Sequence, residues 1–333
     1  LFFLAAVCGE SALKFSILLL LSAFPLTDIP GNNKAIIFTD GFINSINFSN
    51  FSYLSNITLL GLSNNNIMEI EDNAFQNFNN LRTLLLDNNL IPSSAILDTT
   101  FSSLSSLEIL HLSNNALQSV SGRWFKNMTN LTTLQLEGNQ IIRLDNNSFA
   151  DSNLQNLKNL DLSNNLIRFI GKDAFVGLRQ LNHLDLSRNS LSAMPDAFSY
   201  LSWLSFLSLD MNHWNCTCEL KELSEFLRSY VKNPNKILYN GKQLICENVK
   251  NPAVQTILQL TDANCVAANQ NITIIIQRKT HENYVRDIIL VAAFCFAGIL
   301  SIEKNYKKSR CRNLNARAHA FCPAPTPPRI MPL

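Results

Sequence analysis

The chain of 333 residues has no H-E-x-x-H helix, no G-x-S-x-G elbow, no phosphate-binding P-loop and no dinucleotide glycine fingerprint. Each absence removes a reaction class: zinc-assisted hydrolysis, serine acyl transfer, nucleotide hydrolysis and hydride transfer. No enzyme is expected and no cofactor is implied. Charge is also sparse, at 16% of residues against 47% hydrophobic, so core-forming material is ample. Basic charge is missing from the body. Glu303 to Leu333 holds seven of the 27 Lys and Arg (Lys304, Lys307, Lys308, Arg310, Arg312, Arg317, Arg329) and a single acid, Glu303. The remainder, with 20 basic and 24 acidic residues, is mildly acidic. A nucleic-acid reader carries its positive charge on the folded part, so no nucleic-acid partner is expected. The chain does not begin with Met and is expected to be a piece of a longer one.

What is present is a repeat. The stretch LKNLDLSNNLIRFIGKDAF places Leu157, Leu160, Leu162, Asn165 and Ile167 in a rhythm that suits neither a helix nor an alternating strand. The unit L-x-x-L-x-L-x-x-N-x-L recurs from Ile57, Leu81, Leu107, Leu131, Leu157, Leu181 and Leu204, with starts 23 to 26 residues apart. A weaker copy precedes them at Ile36, Phe38 and Ile43, where Gly41 replaces the asparagine. A period of this length signals a stacked-coil architecture. The asparagines Asn65, Asn89, Asn115, Asn139, Asn165, Asn189 and Asn212 stand where backbone groups face inward without ladder partners. An amide side chain supplies both donors and an acceptor there. Phe75, Phe101, Phe125, Phe149, Phe175 and Phe198 are expected to fill the opposite half of the same core.

These residues resemble the leucine-rich repeat family over about Ile57 to Trp214. The resemblance implies an α/β solenoid: a horseshoe with a parallel sheet on its concave side, the leucines inside and variable residues outside. Directly after the last unit come Cys216, Cys218, Cys246 and Cys265, spaced C-x-C-x27-C-x18-C. Four such cysteines could hold zinc or form two disulfides. The block resembles the cysteine-rich C-terminal flank of extracellular members, which implies the pairs Cys216–Cys246 and Cys218–Cys265. The family's Pro before Trp is replaced by His213. Within this cap Leu220, Leu223, Phe226, Leu227 and Tyr230 fall on one helical face expected to cover the end of the core. Only Cys8 lies upstream of the repeats, where the resemblance implies four cysteines of an N-terminal cap, so that cap is expected either to be missing from an incomplete sequence or never to have been present.

Compartment is read from three features. Leu13 to Phe24 has the apolar character of a signal-peptide core. The N-x-[ST] sites at Asn47, Asn50, Asn56, Asn127, Asn130, Asn146, Asn215 and Asn271 all precede residue 280. Ile288 to Ile302 would span about 22 Å as a helix, a short membrane crossing extended by its flanks, and the basic run after it reads as a cytoplasmic stop signal. The expected plan is a signal-like segment (1–26), a degenerate repeat or cap (27–56), repeats (57–203), last repeat with cysteine cap (204–265), stalk (266–287), one transmembrane helix (288–303) and a short basic, Pro-rich cytoplasmic tail (304–333). That plan makes the protein a type I single-pass protein of the plasma membrane.

Candidate ligand contacts lie on the expected concave face: His111, Gln135, Glu137, Asp161, His183, Asp185 and Asp210. The carboxylates there suit a basic protein ligand. His111 with Asp161, or His183 with Asp185, could be named dyads, but an open wet sheet without a nucleophile does not support catalysis. The leading expectation is a cell-surface module that recognises an extracellular or membrane protein, with lipid contact through one span. A second reading is an auxiliary subunit of a membrane ion channel, acting through the span and its adjacent charge.

Overall fold

The structure is a computed structural model. It describes residues 7–9, 12–16, 34–47, 54–247 and 251–266, the first two stretches as backbone only. The chain divides into two compact units, Leu1–Gln270 and Asn271–Leu333, and the second lies outside the described residues. So do the expected span, the stalk beyond residue 266 and the basic tail. Among the described residues no helix is long and apolar enough to cross a membrane.

The strands run in chain order as β1 (Val7–Gly9), β2 (Ala12–Ser16), β3 (Ala35–Thr39), β4 (Ser45–Ile46), β5 (Leu59–Gly61), β6 (Glu69–Ile70), β7 (Thr83–Leu85), β8 (Ile109–His111) and β9 (Thr133–Gln135). They continue as β10 (Arg143–Leu144), β11 (Asn159–Asp161), β12 (Phe169–Ile170), β13 (His183–Asp185), β14 (Phe206–Ser208) and β15 (Ile237–Tyr239). One sheet of eleven strands takes the order β1-β2-β3-β5-β7-β8-β9-β11-β13-β14-β15. It is parallel throughout except for the β1–β2 pair. Short parallel pairs β4–β6 and β10–β12 form separate two-stranded sheets. Between strands the chain returns through turns and short 3-10 segments. The single α-helix among the described residues, α1 (Lys221–Tyr230), sits in the cap. The described solenoid is therefore built of β-strands and turns, where an α/β solenoid was expected. Units of 23 to 26 residues leave too little chain for a full helix after the strand and two turns.

Register explains the rhythm. The second leucines Leu60, Leu84, Leu110, Leu134, Leu160, Leu184 and Leu207 are paired partners along the sheet, and all are fully buried. The remaining leucines and the closing Ile or Leu of each unit bury beside them, each worth roughly 1.5–3 kcal/mol. The weak copy joins the same lattice: Ile36 and Phe38 of β3 are buried, and Ile36 pairs with Leu60 of β5. Two parts of the signal-like segment are strands, β1 (Val7–Gly9) and β2 (Ala12–Ser16), the second parallel to β3; the rest of that segment lies outside the described residues.

The asparagines form the expected ladder. Asn165 donates through Nδ2 to Leu136 O (2.9 Å) in the preceding coil and to Leu162 O (3.1 Å) in its own, while Oδ1 accepts from Ile141 N–H (3.1 Å). The same three contacts recur at Asn89, Asn115, Asn139, Asn189 and Asn212. Asn65 donates to Phe38 O and Leu62 O, but its buried Oδ1 has no partner, because the weak copy ahead of it departs from the pattern. The residue before each ladder position holds a left-handed backbone: Asp40, Asn64, Asn88, Asn114, Gly138, Asn164, Arg188 and Met211 have φ between 53° and 70°. Asparagine and glycine tolerate that region best, which accounts for the repeated Asn-Asn doublet. At Gly138 an added Cβ would also lie 2.0 Å from Asn114 Oδ1.

On the opposite wall the six expected phenylalanines are all fully buried. Phe149, Phe175 and Phe198 stack in series at 6.2 and 6.0 Å, and Phe75 stacks on Phe101 at 5.9 Å. The row passes into the cap, where Phe198 meets Phe226 of α1 at 5.6 Å. Leu223, Leu227 and Tyr230 of the same helix are buried in the same continuous core. The cysteines are bonded as Cys216–Cys246 and Cys218–Cys265. No thiolate remains among these four for zinc.

Candidate functional site

Because side chains alternate along each strand, residues flanking the buried leucines stand on the outward face of the sheet, and register aligns them in columns. One column reads Leu59, Thr83, Ile109, Thr133, Asn159, His183, Phe206 and then Ile237 of the cap. The next reads Gly61, Leu85, His111, Gln135, Asp161, Asp185, Ser208 and Tyr239. The extension by β15 was not foreseen, since its strand comes from the cap and lacks the repeat signature.

Six of the seven expected face residues share this surface. His111 faces Asp87, with Nδ1 3.4 Å from Oδ2. Gln135, Asp161 and Asp185 follow one another across β9, β11 and β13. Asp161 Oδ1 accepts from Ser163 N–H (2.9 Å) and Asp185 Oδ1 from Ser187 N–H (2.8 Å), so the backbone fixes both carboxylates in the same attitude. Glu137 stands beside them. Burial first, then the charges of Asp161, Asp185 and Asp87, raise its carboxyl pKa above the ordinary 4.5, against a smaller opposing effect of Arg188. His183 lies flat on Phe206, ring centres 4.0 Å apart and planes nearly parallel. Thr133, Gln135, Asn159, Asp161 and His183 line a shallow depression between these groups.

Asp210 departs from expectation. It is only 4% exposed. Its Oδ1 accepts from Ser208 Oγ and its Oδ2 from Asn240 Nδ2, each at 2.8 Å, so it ties the last coil to the cap and is not offered to a ligand. Asn240 is 30 residues away in sequence, which hides this pairing from a reading of the repeat alone.

The N-x-[ST] sites separate by environment. Asn56, Asn127, Asn130 and Asn146 are exposed and Asn47 is half-buried. Asn215 is also half-buried, with Oδ1 enclosed, between a bonded Cys216 and a buried Thr217. Asn50 and Asn271 lie outside the described residues. Asn56 and Asn130 flank one shallow groove at the sheet's rim, together with Lys34, Arg82 and Glu108.

The leucine rich repeat family model matches residues 35–91, 94–154 and 155–213. The chain is 58% identical over 275 residues to leucine-rich repeat-containing protein 53 of Macaca fascicularis, covering 82% of this chain and 54% of that protein. To the human protein of the same name it is 57% identical over 275 residues, covering 82% and 22%. The chain thus spans about half of the macaque relative and about a fifth of the human one. Among solved structures, a TLR13–ssRNA13 complex is similar with TM-score 0.52 and 31% identity, over 56% of this chain and 26% of that one. With the family model matched over more than half of its residues, the chain belongs to the leucine-rich repeat family.

Proposed function

We propose that this protein is a cell-surface recognition module that binds an extracellular protein ligand on the outward face of its sheet. The observation that carries the reading is the contrast between the two sides of the same strands. Inward positions repeat one chemistry, whereas outward positions change from coil to coil and include carboxylates, Asp161 and Asp185, with no ion pair among the described residues. A face maintained only for solubility has no need of backbone-held acids beside a partly exposed aromatic row. The similarity to TLR13, solved in complex with ssRNA13, supports ligand recognition by such a scaffold; the acidic face here favours a protein over a nucleic acid. Two disulfides support an oxidising compartment. The apolar stretch 288–302 and the basic residues after it support a single-pass anchor with the repeats outside.

The test is saturable binding of the labelled chain to cultured cells, with Asp161 and Asp185 changed to Lys. The double variant is expected to lose most binding, and unchanged binding removes this surface from consideration. Replacing residues 288–312 by an unrelated anchor is expected to leave recognition intact. Loss of function in that exchange supports a role within the membrane instead.

A further inference from the structure

The outward face is not uniform along the sheet. Toward its N-terminal end it is apolar, with Ile37, Leu59, Leu85 and Ile109 partly exposed. Toward its C-terminal end two different chemistries meet. Asp161 and Asp185 are neighbours in register. Each has one oxygen held by the backbone, and neither is in an ion pair among the described residues. Glu137, close enough to them that their charges disfavour its ionised form, adds a third carboxyl. Immediately beyond lies an aromatic shelf: His183 on Phe206 at 4.0 Å, Phe206 against Tyr239 at 5.8 Å, then Ile237 and Tyr239, 58% and 49% exposed on the terminal strand β15.

We infer that this end of the face docks a basic polypeptide segment, a Lys or Arg of the partner seated against Asp161 and Asp185 and a neighbouring apolar or aromatic side chain laid on Phe206, Tyr239 and Ile237. The inference rests on the proposed function above and narrows it. Charge complementarity selects the occupant. Clustered carboxylates repel an acidic peptide, a phosphate backbone and an anionic membrane alike. A metal ion does not fit either: among the described residues no three ligating groups converge. The dimensions suit a peptide. Tyr239 is two strands from Asp185, roughly 10 Å across the sheet, which an extended segment covers in about three residues.

The test is selection from a random dodecapeptide phage library on the purified full chain. Enriched peptides are expected to be net positive, with Lys or Arg within three residues of an aromatic or branched aliphatic residue. Their affinity should fall at least tenfold in the variant carrying Asp161→Asn and Asp185→Asn, and likewise in one carrying Phe206→Ala and Tyr239→Ser. Tyr239→Phe should retain binding, as should Leu85→Ser with Ile109→Ser. Neutral or acidic consensus peptides, or no enrichment at all, overturn the inference. Peptides lost with the Leu85 and Ile109 changes but indifferent to Asp161 and Asp185 overturn it while leaving face recognition standing. Peptides indifferent to every face position overturn both.

Discussion

At the scale of the residue, two adjacent asparagines in one unit have unrelated jobs. Asn165 satisfies three buried backbone groups, and removing it leaves Leu136 O, Leu162 O and Ile141 N–H without that partner. Asn165→Ala is expected to cost about 1–3 kcal/mol. In a solenoid of this size that lowers Tm by roughly 2–4 °C per kcal/mol in thermal unfolding. Asn164 has φ 54°, so alanine there is itself strained and makes a poor control. Asn164→Gly keeps or raises Tm, because glycine accepts the left-handed backbone without a Cβ. Met211, φ 55° and 60% exposed, occupies the same slot without asparagine's tolerance, and Met211→Gly is expected to stabilise by about 1 kcal/mol. Glu137 offers a second test at this scale. Its carboxyl pKa is raised in the folded state, so the folded protein holds its proton more tightly than the unfolded chain. Stability from this group therefore falls as pH rises from about 4.5 through the raised value. Glu137→Gln should raise Tm at pH 7 and change it little at about pH 3, well below the ordinary 4.5, where the acid is protonated in both states.

At the scale of the element, the joint between the last coil and the cap is the part the repeat does not encode. Asp210 accepts from the fully buried hydroxyl of Ser208 and from Asn240. Asp210→Ala is expected to destabilise by about 1–3 kcal/mol with no loss of ligand affinity; a variant of normal Tm and weakened binding would return Asp210 to the recognition surface. The leucine lattice, the ladder asparagines, the phenylalanine row and the α1 face were legible because each depends on local spacing: a strand buries alternate residues, and a cap helix buries every third or fourth. The left-handed slot was not read from the Asn-Asn doublets, though Gly138 standing in one of them was a usable signal. The burial of Asp210 and the aromatic neighbours of the face depend on Asn240, Ile237 and Tyr239. These come from the cap, whose fold is set by two disulfides and a helix, not by a period. The expectation of an α/β solenoid gave way to a β-solenoid, because the described returns between strands are turns and short 3-10 segments.

At the scale of the whole molecule, the solenoid is a rigid display. Each coil contributes one strand to a continuous sheet, and the cap seals one end with α1, β15 and its disulfides. Losing the Cys218–Cys265 bridge should cost about 2–5 kcal/mol, measured as a shift of the denaturation midpoint. The proposed secretory route predicts which acceptor sites carry sugar. Exposed Asn56 and Asn130 are expected to show a glycosidase-sensitive mass shift in tryptic peptides, whereas enclosed Asn215 is expected to remain unmodified. Glycans at Asn56 and Asn130 would stand at the rim groove and leave the C-terminal half of the face open.

The most direct measurement compares saturation binding of the intact chain to cultured cells after bulk is added to either side of the solenoid. Gln135→Trp with Asn159→Trp fills the depression on the outward face, and Lys172→Trp with Val176→Trp places two tryptophans at exposed positions outside it. Recognition through the outward face predicts at least a tenfold loss for the first and a change within twofold for the second. Equal affinities, or a loss confined to the Lys172→Trp, Val176→Trp variant, would contradict it.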